Sequence, residues 1–384
     1  MTEAESASPR TKRGALSGIK VLDLSRVLAG PLCCQMLSDH GADVIKIEPP
    51  AGDETRLLGP PFTPDGDAAY FTAVNRGKRA ITLDLSSEDG RAALNEMLGD
   101  ADVLVENFLP GTTKRWGLDY ETLSRGLPRL IYCSITGFGD DGPLGGLPGY
   151  DAVLQAMCGL MSINGTPESG PMRMGIPVVD HLTGYTAFSG ILLALFARER
   201  SDQGQRIEAS LFDAGLSLLV PHAANWFYSD KTPELLGSAH PNICPYDKFS
   251  ASDGEIFLAI LNDGQFRKLC DHVGRTDLRD DPRFASNAMR LKNSAALRPE
   301  LESAFASLKV ETLCRDLMVR GVPAGPVNSV PQAFAQPHAR HREMQVTDGE
   351  YRGIGVPIKL SGTPGAPGSR PPRFNEHAEM INAS

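Results

Sequence analysis

The sequence predicts an α/β protein, with a mostly parallel sheet covered by helices on both faces and a second, smaller α+β domain. Three features carry this expectation. Short apolar runs alternate with helical patterns through the first half of the chain, as strands buried on both faces require. The segment His181–Arg200 is apolar nearly all round and reads as a core helix. After about residue 226 the pattern changes to a hairpin followed by amphipathic helices.

Taken in order, residues 1–17 are polar and small and read as a disordered leader. Ile19–Leu24 is the first buried strand, Gly30–Asp39 a helix, and Val44–Ile47 a second strand. Ala80–Leu85, Val103–Glu106 and Leu130–Ser134 are further strands, with a helix at Glu88–Leu98 between two of them. The core helix His181–Arg200 ends in the charged run Arg198-Glu199-Arg200 and at Gly204. In the second domain, Tyr246–Phe249, a turn at Ser252-Asp253-Gly254 and Glu255–Ile260 form the hairpin. Helices follow near Gln265–Val273, Ala295–Ser307 and Glu311–Arg320. The Pro/Gly-rich runs Gly321–Pro326 and 361–372 mark connections. The expected division is a large domain from 18–225 and 327–384, and a small one from 226–326.

Thirty-eight basic against 47 acidic side chains give a formal charge of −9, which argues against wide nucleic-acid or anionic-membrane surfaces. The longest apolar stretch, near Ile191–Ala197, is too short to span a bilayer. Seven scattered cysteines without CxxC or Cys/His spacing suggest neither a disulfide framework nor a zinc site. With no apolar signal segment at the N-terminus, a reducing, cytoplasmic location is expected.

The first strand–turn–helix unit resembles a nucleotide-binding turn, with Glu48 at the end of the second strand. Its loop, Ser25-Arg26-Val27-Leu28-Ala29-Gly30-Pro31, has one glycine where GxGxxG is needed for close approach to a pyrophosphate, so a plain scaffold element fits better. No GxSxG elbow, phosphate-binding glycine loop or metal-spaced histidine set is present. What remains is acidic. Asp180, at the junction of Gly175–Val179 with the strongest helix, fits two roles. It is a helix N-cap, and it is a carboxylate that the helix's positive end would hold ionised for nucleophilic acyl chemistry.

Several segments then point together. They are Val21-Leu22-Asp23-Leu24 with Ala29-Gly30-Pro31, Gly41–Glu48 (GADVIKIE), Asn75-Arg76-Gly77-Lys78-Arg79 and Val105–Gly111 (VENFLPG). Further on are Gly149-Tyr150-Asp151, Gly204–Glu208 (GQRIE) and Gly321–Asn328 (GVPAGPVN). In this order, from about Gly18 to His377, the chain resembles the class III CoA-transferases, the family of carnitine, bile-acid and formyl-CoA transferases. The resemblance implies a Rossmann-like large domain, a small domain and an interlocked, ring-shaped homodimer. It implies Asp180 as the nucleophile, some thirty residues after the Gly-Tyr-Asp segment. It also implies double displacement through an aspartyl mixed anhydride and an aspartyl-CoA thioester. Acyl-CoA and a carboxylic acid would be the substrates, with no tightly bound cofactor and no metal.

By the same resemblance, CoA contacts fall on Leu28, Ala29, Leu83 to Ser86, Asn107, Phe108, Leu109 and Arg115. Gly149, Tyr150 and Asp151 would run along the pantetheine, and Arg56 is a further candidate phosphate partner. Read as plain residues, Leu83 and Phe108 are equally core positions and Arg115 a solvated helix charge. The chain departs from formyl-CoA transferase, which has Gln where Leu28 stands, Arg at Pro49 and Trp near Leu58, and Gly237–Tyr246 lacks that enzyme's glycine-rich lid. Formyl-CoA with oxalate is therefore not the expected pair. His222–Asn225, Gly237–Tyr246 and the turn Gly137–Gly139 look closer to the dicarboxylate branch acting on succinate-, glutarate- or hydroxymethylglutarate-type acids. On this reading His222, Asn225 or His240 binds a distal carboxylate; as plain residues they are packing or surface side chains. Two rivals remain. One is an α-methylacyl-CoA racemase of the same fold, whose histidine would stand where Tyr150 is, and the other is a CoA-binding regulatory protein without catalysis.

Overall fold

The computed structural model describes residues 14–382. Of the expected leader, residues 1–13 lie outside this range. Residues 14–17 form a turn in which Ser17 N–H donates to the Gly14 carbonyl, and Leu16 is buried, so they belong to the fold.

Six parallel strands make the main sheet: β1 (Lys20–Asp23), β2 (Asp43–Glu48), β3 (Arg79–Thr82), β4 (Val103–Glu106), β5 (Ile131–Thr136) and, after the short β6–β7 hairpin (Gly165–Thr166 and Gly170–Pro171), β8 (Arg206–Ser210). Their order is β3-β2-β1-β4-β5-β8. Leu22 stands between Ile45 of β2 and Leu104 of β4. Alternate residues serve two cores. Val21, Val103, Val105, Ile131, Cys133 and Ile135 pack under the Ala29–Asp39 and Val178–Ser201 helices. Leu22, Ile81, Leu104 and Tyr132 pack with Leu94 and Leu98 of the Glu88–Leu98 helix. A strand buried on both faces has no polar side to show, hence the unbroken apolar runs. The edge strand β8 escaped detection because its Arg206 and Glu208 reach solvent, Arg206 pairing with both Glu208 and Asp140.

The Val178–Ser201 helix begins three residues before the expected start, which moves Asp180 from the cap into the first turn. At 24 residues it meets the length and composition of a membrane span, contrary to the sequence expectation. Its face of Val179, Thr183, Ala187, Phe188, Ile191 and Ala194 is buried, however, as in a core helix. At Gly184 a Cβ would lie 2.8 Å from the Ala29 carbonyl oxygen, so glycine lets this helix press onto the start of the Ala29–Asp39 helix.

The chain divides into two compact units. One comprises residues 14–160, 174–219 and 337–382 of the described range, and the other residues 161–173 and 220–336. The boundaries thus fall at 219/220 and 336/337 in place of 225/226 and 326/327, and the β6–β7 hairpin joins the smaller unit. That unit has its own core, with Phe249, Ile256, Leu258, Phe266, Leu301, Phe305 and Leu317 under a three-stranded sheet. β9 (Tyr246–Ala251) and β10 (Gly254–Ala259) are the expected hairpin. The third strand, β11 (Ala324–Pro326), lies inside the run read as a connection and pairs antiparallel with β10. In the larger unit a final hairpin, β12 (Gln345–Asp348) and β13 (Tyr351–Ile354), precedes the Pro/Gly-rich tail segment.

Candidate active site

The strand order reverses between β1 and β4, so the loops leaving their carboxyl ends diverge and open a crevice. A cavity of about 260 Å³ occupies it, walled by Arg26–Ala29 after β1, Asn107–Pro110 after β4, Ile135–Gly137 at the end of β5, Leu147–Tyr150, and Asp180.

The first wall rests on buried charge. The Lys78 ammonium donates to Asp23 Oδ2 at 2.8 Å, Asn75 Oδ1 at 2.8 Å and the Pro31 carbonyl at 2.9 Å. Lys46, the polar break in an apolar strand, donates to Asp53 Oδ2 and to the Ser25 carbonyl, both at 2.9 Å. Burial pushes the Asp23 carboxyl up, but Lys78 and Lys46 outweigh it and hold it below the usual carboxylate range. Asn107 completes the wall. Its Oδ1 accepts from Arg26 N–H at 2.9 Å and its Nδ2 donates to the Arg26 carbonyl at 2.8 Å. The next residue, Val27, is held at φ +70°, a left-handed conformation that costs a β-branched residue about 1–3 kcal/mol. The motif residues Asp23, Lys46, Asn75 and Lys78 are therefore the foundation of the pocket loop.

The opposite wall needs glycine twice. A Cβ on Gly137 would stand 2.9 Å from Gly149 Cα, and one on Gly149 would stand 2.8 Å from Leu154 Cδ2. This close approach presents Tyr150, 64% exposed, at the rim.

Asp180 is not the helix cap. The cap position is Pro177, whose side chain accepts no hydrogen bond. The first-turn N–H groups of Val179 and Asp180 donate instead to Asp151 Oδ2, at 2.8 and 3.2 Å. Asp151 thus caps a helix from elsewhere in the chain, and the Asp180 carboxyl is left to line the cavity. Burial, and then the charge of Asp151, pushes it up to about 7, against the expectation of a carboxylate held ionised by the helix end. Tyr70 faces the same pair: burial first, then the Asp180 and Asp151 charges, raises its phenol.

Of the residues expected at the site, the cavity brings together Leu28, Ala29, Asn107, Phe108, Leu109, Gly149, Tyr150 and Asp180. Others serve differently. Arg56, 6% exposed, spends every guanidinium N–H on Glu48, Asp67 and the Pro372 carbonyl and stacks on Phe71, which leaves nothing for a phosphate. Leu83 is core. The Ser86 N–H and hydroxyl are turned to Asp84 Oδ1. Exposed Arg115 bonds Thr112 Oγ1 at 3.2 Å and is outside the cavity wall. Asp151 is buried behind Asp180. His222, Asn225 and His240 belong to the smaller unit. There Asn225 Nδ2 donates to Asn242 Oδ1, Asn242 N–H donates to His240 Nδ1, and burial followed by His240 lowers the pKa of His222. Sequence reasoning missed Arg26 and Glu54, which pair at 3.2 Å and supply the cavity's other charges. Their position just past β1 and β2, at the carboxyl edge of a parallel sheet, was the available signal.

The family model for CoA-transferase family III matches residues 16–378. The chain is 41% identical to the succinate–glutarate CoA-transferase of Agrobacterium fabrum, over 97% of this chain and 96% of the relative. It is 41% identical to the acetyl-CoA:oxalate CoA-transferase of Acetobacter aceti, over 96% and 95%. Among solved structures, a CaiB/BaiF family protein from Brucella suis superposes with a TM-score of 0.87 at 44% identity, covering 97% of this chain and 99% of that one. With the family model and the named relatives matching over nearly its whole length, the chain belongs to CoA-transferase family III and is a CoA-transferase.

Proposed function

We propose that the protein moves CoA between dicarboxylic acids, with Asp180 as a transient acyl and CoA carrier. The carrying observation is the division of labour between two acids: Asp151 caps the helix, and the Asp180 carboxyl, released from that duty, lines the cavity. A half-buried carboxylate with a raised pKa is poorly solvated and more basic than a free one, which suits attack on a thioester.

In the proposed sequence, an Asp180 oxygen bonds to the donor's thioester carbon and the C–S bond breaks, giving a mixed anhydride and CoA thiolate. The thiolate attacks the Asp180 carbonyl carbon and expels the donor acid as carboxylate, leaving an aspartyl-CoA thioester. The acceptor carboxylate then displaces the thiolate to form a second anhydride. The thiolate finally attacks the acceptor's acyl carbon and regenerates the Asp180 carboxylate. No net proton, metal or oxidant is needed. Leu28, Ala29, Asn107, Phe108 and Leu109 form the CoA wall on this reading, with Arg26 as the nearby cation for phosphate charge.

The dicarboxylate class rests on relatives named for glutarate, oxalate and, in Haloarcula hispanica, mesaconate. His222, Asn225 and His240 are kept as partners for a distal carboxylate. Their mutual clustering supports this, and an acceptor panel with His240→Ala tests it: unchanged discrimination between glutarate and a monocarboxylate removes the role. The racemase reading gains nothing from the site, since the named relatives are transferases. We further read the large unit as a Rossmann-like CoA-binding domain, from its strand order, within an interlocked homodimer in the cytoplasm. Exposed Leu193 and Phe196 on the long helix supply apolar surface for a partner copy. Light scattering that finds a monomer rejects the dimer.

The decisive experiment is incubation with succinyl-CoA, followed by mass spectrometry of the peptide containing Asp180. A covalent CoA adduct on Asp180, lost together with turnover in Asp180→Ala, is expected. Transfer at the wild-type rate in Asp180→Ala rejects the mechanism.

A further inference from the structure

Pro177 leaves the long helix without a side-chain cap, and the substitute is a two-residue grip from the Asp151–Met157 helix. Asp151 and Gln155 stand four apart and so share one face. Asp151 Oδ2 takes the N–H groups of Val179 and Asp180, while its Oδ1 accepts from Gln155 Nε2 at 2.6 Å. Gln155 Nε2 also reaches the Ile176 carbonyl at 3.3 Å, and its Oε1 accepts from Met174 N–H at 2.8 Å. Together the pair grips residues 174, 176, 179 and 180. Both side chains are buried, and Asp151 forms no ion pair among the described residues. A buried carboxylate answered only by N–H dipoles is costly to keep unless its charge has a use.

We propose that Asp151 and Gln155 are positioning residues for Asp180, Gln155 fixing the 174–176 approach and Asp151 fixing the helix start while holding a negative charge behind the reacting carboxyl. This deepens the reading of Asp180 as acyl carrier and rests on it. The titratable and charged groups around Asp180 are Tyr70 from the Ala69–Thr72 helix, Asp151 from the Asp151–Met157 helix and, on the walls of the shared cavity, Arg26, Glu54 and Tyr150; His181 follows on its own helix, with Nδ1 2.9 Å from the Pro177 carbonyl. Of these, Asp151 is the neighbour whose charge opposes ionisation of Asp180.

The two roles separate by kinetics. The rate of adduct formation on Asp180 from succinyl-CoA is measured against pH by quenched mass spectrometry, with unfolding midpoint and CoA Kd recorded in parallel. Asp151→Asn keeps an oxygen acceptor and removes the charge, so the acid limb moves down by about one pH unit. Gln155→Leu keeps the Asp151 charge and loosens the approach segment. Its acid limb stays in place while the plateau rate falls about tenfold or more, with CoA Kd changed less than about threefold. A purely structural pair would lower the unfolding midpoint and leave both features alone. An unmoved acid limb in Asp151→Asn, or a Gln155→Leu plateau within about twofold of wild type, overturns the proposal; should Asp151→Asn fail to fold, the Gln155→Leu plateau decides. Absence of any adduct in the wild type is a different result, since it rejects the acyl-carrier reading itself.

Discussion

Asn107 holds the backbone of Arg26 from both sides, its amide oxygen on the N–H and its amide nitrogen on the carbonyl. Through that grip a loop leaving β4 sets the conformation of a loop leaving β1. The resemblance expected Asn107 to touch CoA. Its two side-chain hydrogen bonds go to the Arg26 backbone, so on the proposed reading it serves CoA by shaping the wall. Asn107→Ala therefore costs roughly 1–3 kcal/mol of stability, from two lost hydrogen bonds at a half-buried site. It also weakens CoA binding, because Arg26 and Val27 are freed. Calorimetric titration with CoA checks this, and wild-type affinity in a folded Asn107→Ala variant contradicts the brace.

Val27 sits at φ +70° beside that brace. Glycine adopts this region freely, and the relief of about 1–3 kcal/mol exceeds the roughly 0.5–1 kcal/mol that glycine adds through unfolded-chain entropy. Val27→Gly is expected to leave stability unchanged or raise it by up to about 1 kcal/mol. Leu28→Gly, one residue on and buried, is expected to lower it by about 2 kcal/mol or more. Chemical denaturation of the pair tests the contrast, and equal losses would show that Val27 carries no strain.

Lys78 lies fully buried with three oxygen acceptors. Lys78→Met removes the cation and leaves the Asp23 carboxylate with Lys46 as its remaining charged neighbour, at a cost of about 3–5 kcal/mol. Asp23→Asn combined with Lys78→Met removes both charges and is expected to recover part of that loss. A double variant no more stable than Lys78→Met would mean that the pair is not coupled.

Much of the scaffold was legible because burial on both faces leaves apolar runs such as Val103–Val105 in the strands. β8 was not, since Arg206 and Glu208 on an edge strand look like a loop. β11 hid in a Pro/Gly run because an edge strand of three residues tolerates proline at its end. At the site, the family pattern singled out Asp180, which lines the cavity, but its environment was not legible. A local reading made it a cap, whereas the cap is Asp151, 29 residues earlier in the sequence. Arg56 failed for the same reason: Glu48 and Asp67 are near in the chain, yet that they enclose it follows only from the folded path. Long-range hydrogen bonds decide which polar residues are free to act, and a single sequence does not carry them.

Asp180 should also be a stability liability that depends on pH. Its carboxyl titrates at about 7 in the folded protein, against 3.8 as the ordinary value, with burial the larger cause and Asp151 the second. Between those two pH values the unfolded chain releases a proton that the native state keeps. Stability therefore falls as pH rises through this window and levels off above about 7. Asp180→Asn lacks the titration, so its advantage over wild type should be larger at pH 8 than at pH 5 by roughly 1–2 kcal/mol, a figure reduced because the cavity is open to water. Urea unfolding of both proteins at the two pH values measures the difference. An advantage that is the same at pH 5 and pH 8 would mean that Asp180 titrates like an ordinary surface acid, and the basicity proposed for the nucleophile would go with it.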